Sequence, residues 1–174
     1  MDGTPKTNAG VALVGSGSAT PMQNLSNDML SLRVDTNDSW IRTRTGIRTR
    51  RVVGPNDSLT EISSKAALKA VHMAGWDPET IDLVLLATST PDDLFGSAPQ
   101  VQSQLDAKNA VAFDLTAACS GFLFALITAS QYLRSGSMQR AVVIGADQLS
   151  RWVDWDDRRS CVLFGDGAGA VALE

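Results

Sequence analysis

The residue best placed to do chemistry is Cys119, one of two cysteines in this chain of 174 residues. It follows a short apolar run, residues 110–113, and directly precedes Ser120 and Gly121, which open an apolar stretch of helical length. A thiol at a helix N-terminus lies near unpaired backbone N–H groups and the positive end of the helix dipole, which favour the thiolate and can hold an oxyanion. The pattern therefore offers a nucleophile, while a packing role stays open because cysteine is often buried.

The second cysteine and the single histidine are weaker candidates. Cys161 lies in an apolar pattern and is expected to pack in the core. The helical pattern places His72 on the same side as Glu61 and Lys65, so that it should face solvent. Two cysteines and one histidine are too few for an expected metal site or disulfide framework.

Two glycine clusters fall short of a nucleotide-binding fingerprint. Gly15 and Gly17 lack the third glycine, and the cluster from Gly165 to Gly169 leads into a predicted strand rather than a helix. Neither contains the lysine of a phosphate-binding loop. A dinucleotide cofactor is therefore not expected.

A basic segment stands out on an acidic chain with a net charge of -4. Its members are Arg42, Arg44, Arg48, Arg50 and Arg51. The overall charge argues against general nucleic-acid binding, which needs many cationic contacts. The segment is either a site for a polyanionic ligand or a solvated face.

The composition favours a soluble protein with reduced thiols in the cytoplasm. No apolar run approaches the roughly 20 residues of a membrane span. Residues 1–10 are polar and lack the apolar core of a secretion signal, so we expect a disordered lead-in followed by one domain over residues 11–174.

The elements that would position Cys119 alternate between strands and helices. A strand at residues 11–14 should end in a turn at Gly15 to Gly17, and a helix is expected near residues 25–33. Ser58 and Glu61 form a capping box for a helix that should end at Gly75. Further strands are predicted at residues 81–88, 110–113, 141–145, 161–164 and 168–173, the last two as a possible hairpin. Helices should span residues 99–107 and 120–134, the latter buried on all sides. This alternation predicts a layered α/β domain with a mostly parallel sheet.

Four segments resemble those of the β-ketoacyl-acyl-carrier-protein synthase III family, in the family's order and over nearly the whole chain from Val11. The nucleophile segment reads DLTAACSGF from Asp114, the coenzyme A segment TNDSWIRTRTGI from Thr36, the dimer-contact loop ATSTPDDLF from Ala87, and the glycine-rich hairpin FGDGAGA from Phe164. The resemblance implies one half of a thiolase-like fold, layered α/β/α around a mostly parallel five-stranded sheet.

The resemblance also implies a reaction in fatty-acid synthesis. Cys119 would take an acyl group, typically acetyl, from acyl coenzyme A, which is a substrate and not a cofactor. The acyl group would pass to a carbanion formed by decarboxylation of malonyl-acyl-carrier protein. Family members have a second, similar half, which supplies a histidine and an asparagine for condensation; this chain lacks that C-terminal half.

By the same resemblance, Trp40 and Arg158 would sandwich the adenine, Thr36 would hydrogen-bond nearby, and Arg44 would meet phosphate. Indole and guanidinium planes suit a purine, and arginine suits phosphate. Arg159 stands where the family more often has glycine, which leaves the choice between the two neighbouring arginines open. Phe95 would cross a homodimer interface to line the partner's acyl pocket.

Two other functions remain to be weighed. One is a non-catalytic thiolase-like module that binds acyl coenzyme A or mediates assembly. The other is half of a related polyketide or hydroxymethylglutaryl synthase. A half that normally packs against a twin should also expose a large apolar face.

Overall fold

A mixed five-stranded sheet forms the centre of the molecule. The computed structural model describes residues 10–174, so the lead-in expected at residues 1–10 lies almost entirely outside the described residues. The strands lie in the spatial order β1 (Leu13–Ala19), β7 (Asp166–Leu173), β6 (Ala141–Gln148), β4 (Leu83–Ala87) and β5 (Val111–Leu115). β4, β5 and β6 are parallel, and β7 is antiparallel to both β6 and β1. The predicted mostly parallel, five-stranded sheet is confirmed.

Helices cover both faces of this sheet. On one face, α3 (Leu59–Ala74) and α4 (Ala98–Gln104) share a buried cluster with alternate residues of β4 and β6, such as Val142 and Ile144. On the other face, α5 (Gly121–Arg134) packs through its alanines on the residues between them, including Val143. The predicted three-layer α/β/α arrangement is therefore confirmed.

The helix α3 begins and ends where the sequence predicts. The Ser58 side chain accepts a hydrogen bond from the Glu61 backbone N–H, and Gly75 ends the helix in the left-handed conformation at φ 68°. Asp92 accepts two more N–H groups of the first turn, those of Leu59 and Thr60, at 2.9 and 2.8 Å. Together these bonds satisfy donors that the helix itself leaves free.

The expected turn at Gly15 and Gly17 is wrong, because both residues lie inside β1. A Cβ at Gly15 would come within 2.1 Å of the Ala70 carbonyl oxygen, and one at Gly17 within 2.2 Å of that of Ala66. The glycines therefore allow α3 to approach the strand closely, which is a packing requirement rather than a turn signal.

The strand expected at residues 161–164 is also wrong, and with it the hairpin. Residues 158–163 form consecutive turns, and the following strand β7 pairs with β6 and β1 instead. The apolar side chains of Cys161 and Val162 are buried, but in a separate cluster with Leu30 and Ile41. Burial of a short apolar run does not require a strand.

A small outer layer holds that cluster in place. It consists of β2 (Gln23–Ser26), α1 (Asn27–Ser31), α2 (Asp38–Thr45) and β3 (Thr49–Val52). β2 and β3 form a two-stranded antiparallel sheet. The helix predicted near residues 25–33 is thus shortened to α1, and β2, α2 and β3 were not predicted.

The prediction that α5 is buried on all sides is wrong. Leu123, Phe124 and Ile127 are each more than half exposed, whereas Ala125 and Ala129 are fully buried. The small residues let the helix lie close to the sheet, and the large apolar residues point away from it. This leaves the exposed apolar face that a half molecule was expected to show.

Candidate active site

Cys119 lies at the junction between β5 and α5. It is the middle residue of a single 3₁₀ turn, Ala118–Ser120, directly before Gly121 begins the helix. Its side chain is exposed. The packing alternative left open by the sequence therefore does not hold.

The backbone of this junction is held in an unusual conformation. Ala118 has a φ of 47°, one of two non-glycine residues with positive φ among the described residues. Such a conformation costs roughly 1 kcal/mol or more for a residue with a Cβ, and it persists only where the surroundings impose it. The sharp reversal turns the next side chain, that of Cys119, out of the core.

Two glycines let α5 begin close to the sheet. A Cβ at Gly121 would lie 3.2 Å from the Cβ of Ala87, at the end of β4. A Cβ at Gly145 would lie 3.2 Å from the ring of Phe122. The thiol therefore stands over the carboxyl ends of β4 and β6, which is where α/β sheets commonly place their sites.

A cavity of about 280 Å³ opens beside the thiol. Its lining residues are Ala87, Ala118, Cys119, Phe122, Gly145, Ala146, Asp147, Gly165 and Gly167. No side chain caps the N-terminus of α5. The Gly121 N–H donates to the Ala118 carbonyl oxygen, and no capping side chain takes the N–H groups that follow it, as an oxyanion site requires.

A second group of predicted residues meets around Trp40 on α2. The side chain of Asn37 caps this helix, accepting the Trp40 N–H at 2.8 Å. Arg44 lies one turn later, and its guanidinium carbon is 4.6 Å from the centroid of the Trp40 ring. The guanidinium carbon of Arg158 lies at the same 4.6 Å. The structure thus brings Trp40, Arg44 and Arg158 together.

Of the two neighbouring arginines, Arg158 is the one beside Trp40. It forms an ion pair with Asp35 at 3.6 Å. Arg159 instead has a 90% exposed side chain and pairs with Asp157 at 3.0 Å. Its hydrogen bond holds the pKa of the Asp157 carboxyl below the ordinary value.

Thr36 lies just before α2 with its side-chain oxygen buried and without a hydrogen-bond partner. A buried hydroxyl that lacks a partner is costly unless a ligand or water satisfies it. A role of Thr36 as a hydrogen-bonding residue stays a prediction, which this buried oxygen supports.

The basic segment divides into separate structural roles. Arg50 is buried and donates to the Asn27 side-chain oxygen at 2.7 Å and to the Val162 carbonyl oxygen at 3.3 Å. Burial lowers its pKa. Arg42 and Arg48 line an open cavity of about 410 Å³ beside α2. The segment is therefore neither one anion site nor one solvated face.

Phe95 lies on an exposed loop away from the thiol cavity. Its side chain is 89% exposed and that of Leu94 is 93% exposed. Both line a separate cavity of about 570 Å³ along the edge strand β5. Asp114 of β5 accepts the N–H groups of Ser97 and Ala98 at 2.9 and 2.6 Å, which anchors the end of the loop.

The remaining candidates lie where the sequence places them. His72 is exposed on α3, and Cys161 is fully buried. Sequence reasoning missed Asp147, which follows a predicted strand and lines the thiol cavity. The rule that sites collect at the carboxyl ends of parallel strands could have identified it. It also missed the strained backbone at Ala118, because alanine is not a residue type that predicts a positive φ.

Among residues 10–174, no helix is both long enough and apolar enough to span a bilayer.

Comparison with known proteins gives consistent matches along the chain. The family described as 3-Oxoacyl-[acyl-carrier-protein (ACP)] synthase III matches residues 113–174. A β-ketoacyl-[acyl-carrier-protein] synthase III of Prochlorococcus marinus strain MIT 9313 is 72% identical over all 174 residues, which cover 51% of that protein. One from Synechococcus sp. strain WH7803 is 71% identical over 95% of the chain and 49% of the relative. The chain thus spans about half the length of these relatives.

Solved structures agree with the sequence comparison. The crystal structure of 3-oxoacyl-[acyl-carrier-protein] synthase III from Aquifex aeolicus VF5 superposes with a TM-score of 0.91 at 47% identity, covering 94% of this chain and 53% of that one. The priming β-ketosynthase of the R1128 polyketide pathway gives a TM-score of 0.90 at 36% identity, covering 94% and 49%. The fold is therefore thiolase-like.

Proposed function

We propose that this chain, which belongs to the β-ketoacyl-[acyl-carrier-protein] synthase III family, carries the acyl-transfer centre of an enzyme that starts fatty-acid synthesis. The observation that carries the proposal is the exposed Cys119 thiol at the uncapped N-terminus of α5. A thiol in that position has the dipole and backbone donors that nucleophilic catalysis by cysteine needs.

In the first half-reaction, the Cys119 thiolate attacks the carbonyl carbon of an acyl coenzyme A thioester. A carbon–sulfur bond to Cys119 forms, the bond to coenzyme A breaks, and coenzyme A leaves as a thiolate that takes up a proton. The N–H groups at the start of α5 stabilise the carbonyl oxygen of the thioester, which becomes negatively charged in the tetrahedral intermediate.

The group around Trp40 is the proposed coenzyme A site. A purine cannot enter between the Trp40 ring and Arg158 at their present 4.6 Å, because stacking on both faces needs about twice the thickness of one ring. One guanidinium must therefore move aside and then stack on the base. Arg158 is held by a partly exposed ion pair with Asp35, and such pairs are weak. Arg44 remains for phosphate, and the free Thr36 hydroxyl for a polar atom of the nucleotide.

In the second half-reaction, malonyl-acyl-carrier protein loses carbon dioxide, and the resulting carbanion attacks the Cys119 thioester. A carbon–carbon bond forms, the Cys119 thiolate leaves, and a β-ketoacyl-acyl-carrier protein is released. We assign the histidine and asparagine of this step to a C-terminal half. His72 is exposed on α3 and is therefore not placed to act in this step. The bare apolar face of α5 supports such a partner, and the exposed Phe95 supports a homodimer. The cytoplasm is the expected setting.

Product formation tests this function. The chain is combined with the remaining half of the MIT 9313 relative and given acetyl coenzyme A and malonyl-acyl-carrier protein. We expect a β-ketoacyl-acyl-carrier protein by mass spectrometry, and none with Cys119→Ser. Product formed equally by Cys119→Ser would overturn the proposal.

The alternative is a non-catalytic module that binds acyl coenzyme A. This alternative predicts that coenzyme A binds at Trp40 but that no product forms, whether or not the remaining half and both substrates are present. The exposed thiol and its cavity favour the enzyme. A related polyketide synthase half would give product only with a different acyl donor.

A further inference from the structure

The acidic residue in the wall of the Cys119 cavity is Asp147, near the end of β6. The other lining residues besides the cysteine are glycine, alanine and phenylalanine. A carboxylate beside a thiolate does not help to form the thiolate, because like charges repel. Asp147 must therefore have a role other than activation of the Cys119 thiol.

One carboxylate oxygen of Asp147 accepts hydrogen bonds from three successive residues. Its Oδ1 accepts the backbone N–H of Ser89 at 2.8 Å and the hydroxyls of Thr90 and Thr88 at 3.2 and 3.3 Å. The Thr90 hydroxyl oxygen in turn accepts the Gln148 backbone N–H at 2.8 Å. Hydrogen bonds to a carboxylate are stronger than neutral ones, so this network holds residues 88–90 firmly to the end of β6.

Residues 87–89 run from one cavity to the other. Ala87 lines the thiol cavity, whereas Thr88 and Ser89 line the cavity that also contains Phe95. The position of this short segment therefore decides how far the space beside the thiol extends towards the Phe95 loop.

We propose that Asp147 is a positioning residue that sets the length of acyl chain accepted at Cys119. It does so by fixing residues 88 and 89 as the wall between the two cavities. The inference deepens the proposed acyl-transfer function and rests on Cys119 being its nucleophile. Without the Asp147 acceptor, the wall loosens and longer chains gain access relative to short ones.

A matched control exists at the opposite end of the same strands. Asp82, directly before β4, accepts the backbone N–H groups of Gln139 and Arg140 at 2.7 and 3.0 Å. Like Asp147, it is a partly buried carboxylate that ties two segments of the sheet together. Asp82→Ala should therefore cost stability without affecting either cavity.

The test measures how Cys119 reacts with thiol-specific probes of two lengths, N-methylmaleimide and N-octylmaleimide. Peptide mapping separates Cys119 from Cys161, and the probes need no coenzyme A site. Asp147→Ala should raise the rate ratio of octyl to methyl probe about ten-fold. Asp147→Asn keeps an acceptor oxygen and should stay within about two-fold of the original ratio. Asp82→Ala should leave the ratio unchanged.

An unchanged ratio in Asp147→Ala, or an equal shift in Asp82→Ala, would overturn the inference. A parallel incubation with acetyl and octanoyl coenzyme A, with the remaining half present, separates this failure from that of the function. Cys119 acylation without a change in chain preference refutes only the role of Asp147. Failure of acylation in every variant refutes the acyl-transfer function, whatever the maleimide ratio shows.

Discussion

Cys119 and Cys161 both lie in turns between regular elements, yet their surroundings are opposite. Cys119 is exposed beside a cavity, at a junction where Ala118 adopts a positive φ. Cys161 is fully buried with Leu30 and Ile41. As the structure describes it, the turn around Cys161 contains no residue with positive φ.

The charges near the two thiols differ as well. Burial raises the pKa of the Cys161 thiol, and the nearby Arg50 guanidinium only partly opposes this. Cys119 instead lies at the N-terminus of α5, which no side chain caps, with a cavity in front of it. The turn with Cys161 serves the site differently, since it brings Arg158 to Trp40. The same residue type is thus exposed beside a cavity in one turn and packed among apolar side chains in the other, because the backbone decides which side chain is presented.

The largest expected difference between the two turns is the rate of thiol alkylation. Cys119 should react with iodoacetamide roughly a thousand-fold faster than Cys161, which must await local opening of the outer layer. Peptide mapping after timed quenching measures both rates. Similar rates at the two residues would contradict the difference in exposure between the Cys119 and Cys161 thiols.

The strained junction can be probed by a β-branched residue. Ala118→Val should lower the free energy of unfolding by about 2 kcal/mol, because such side chains strongly disfavour a positive φ. Ala117→Val is the control, since Ala117 has a φ of -155° and is not in the left-handed region. Urea denaturation gives both values, and an equal loss in the two variants would contradict the strain at Ala118.

The proposed binding role of the turn around Cys161 is tested by its two arginines. Arg158→Ala should weaken coenzyme A binding about ten-fold, because the Trp40 ring loses a stacking partner for the base. Arg159→Ala should leave affinity unchanged, since its side chain is 90% exposed and paired with Asp157. Quenching of tryptophan fluorescence by coenzyme A reports the dissociation constants. Equal effects of the two variants would show that only net charge matters.

The smallest expected effect is a pH dependence from Cys161. Its pKa is raised in the folded state, so above pH 9, where an exposed thiol ionises, the unfolded chain loses a proton that the folded chain keeps. Stability should therefore fall as pH rises beyond this point. Cys161→Ala should flatten that part of the curve relative to the unmodified chain. An identical slope in the variant would show that the buried thiol contributes nothing.

The sequence predicted the core of the fold because its signals were local. The cap at Ser58, the stop at Gly75 and the apolar run of β4 depend on neighbouring residues, and each was confirmed. The glycines of β1 and the turn at Cys161 were misread because their roles depend on distant contacts, with α3 and with α1 and α2. Neither contact leaves a local pattern.

The site was predictable to a similar extent. The place of Cys119 follows from a strand followed by a helix, whereas the meeting of Trp40 with Arg158 was expected only from the family resemblance. The positive φ of Ala118 and the three-donor network of Asp147 arise only when residues far apart in sequence meet. Features of this kind depend on three-dimensional contacts and could not be predicted from the sequence.

The proposed function depends above all on the transfer of an acyl group to the Cys119 sulfur. The most direct measurement is intact-mass analysis, followed by peptide mapping, after incubation of the chain and the remaining half of the relative with acetyl coenzyme A. We predict a single acetyl group on Cys119, lost in Cys119→Ser and removed by hydroxylamine as expected of a thioester. No adduct, or an adduct on Cys161, would contradict acyl transfer to Cys119.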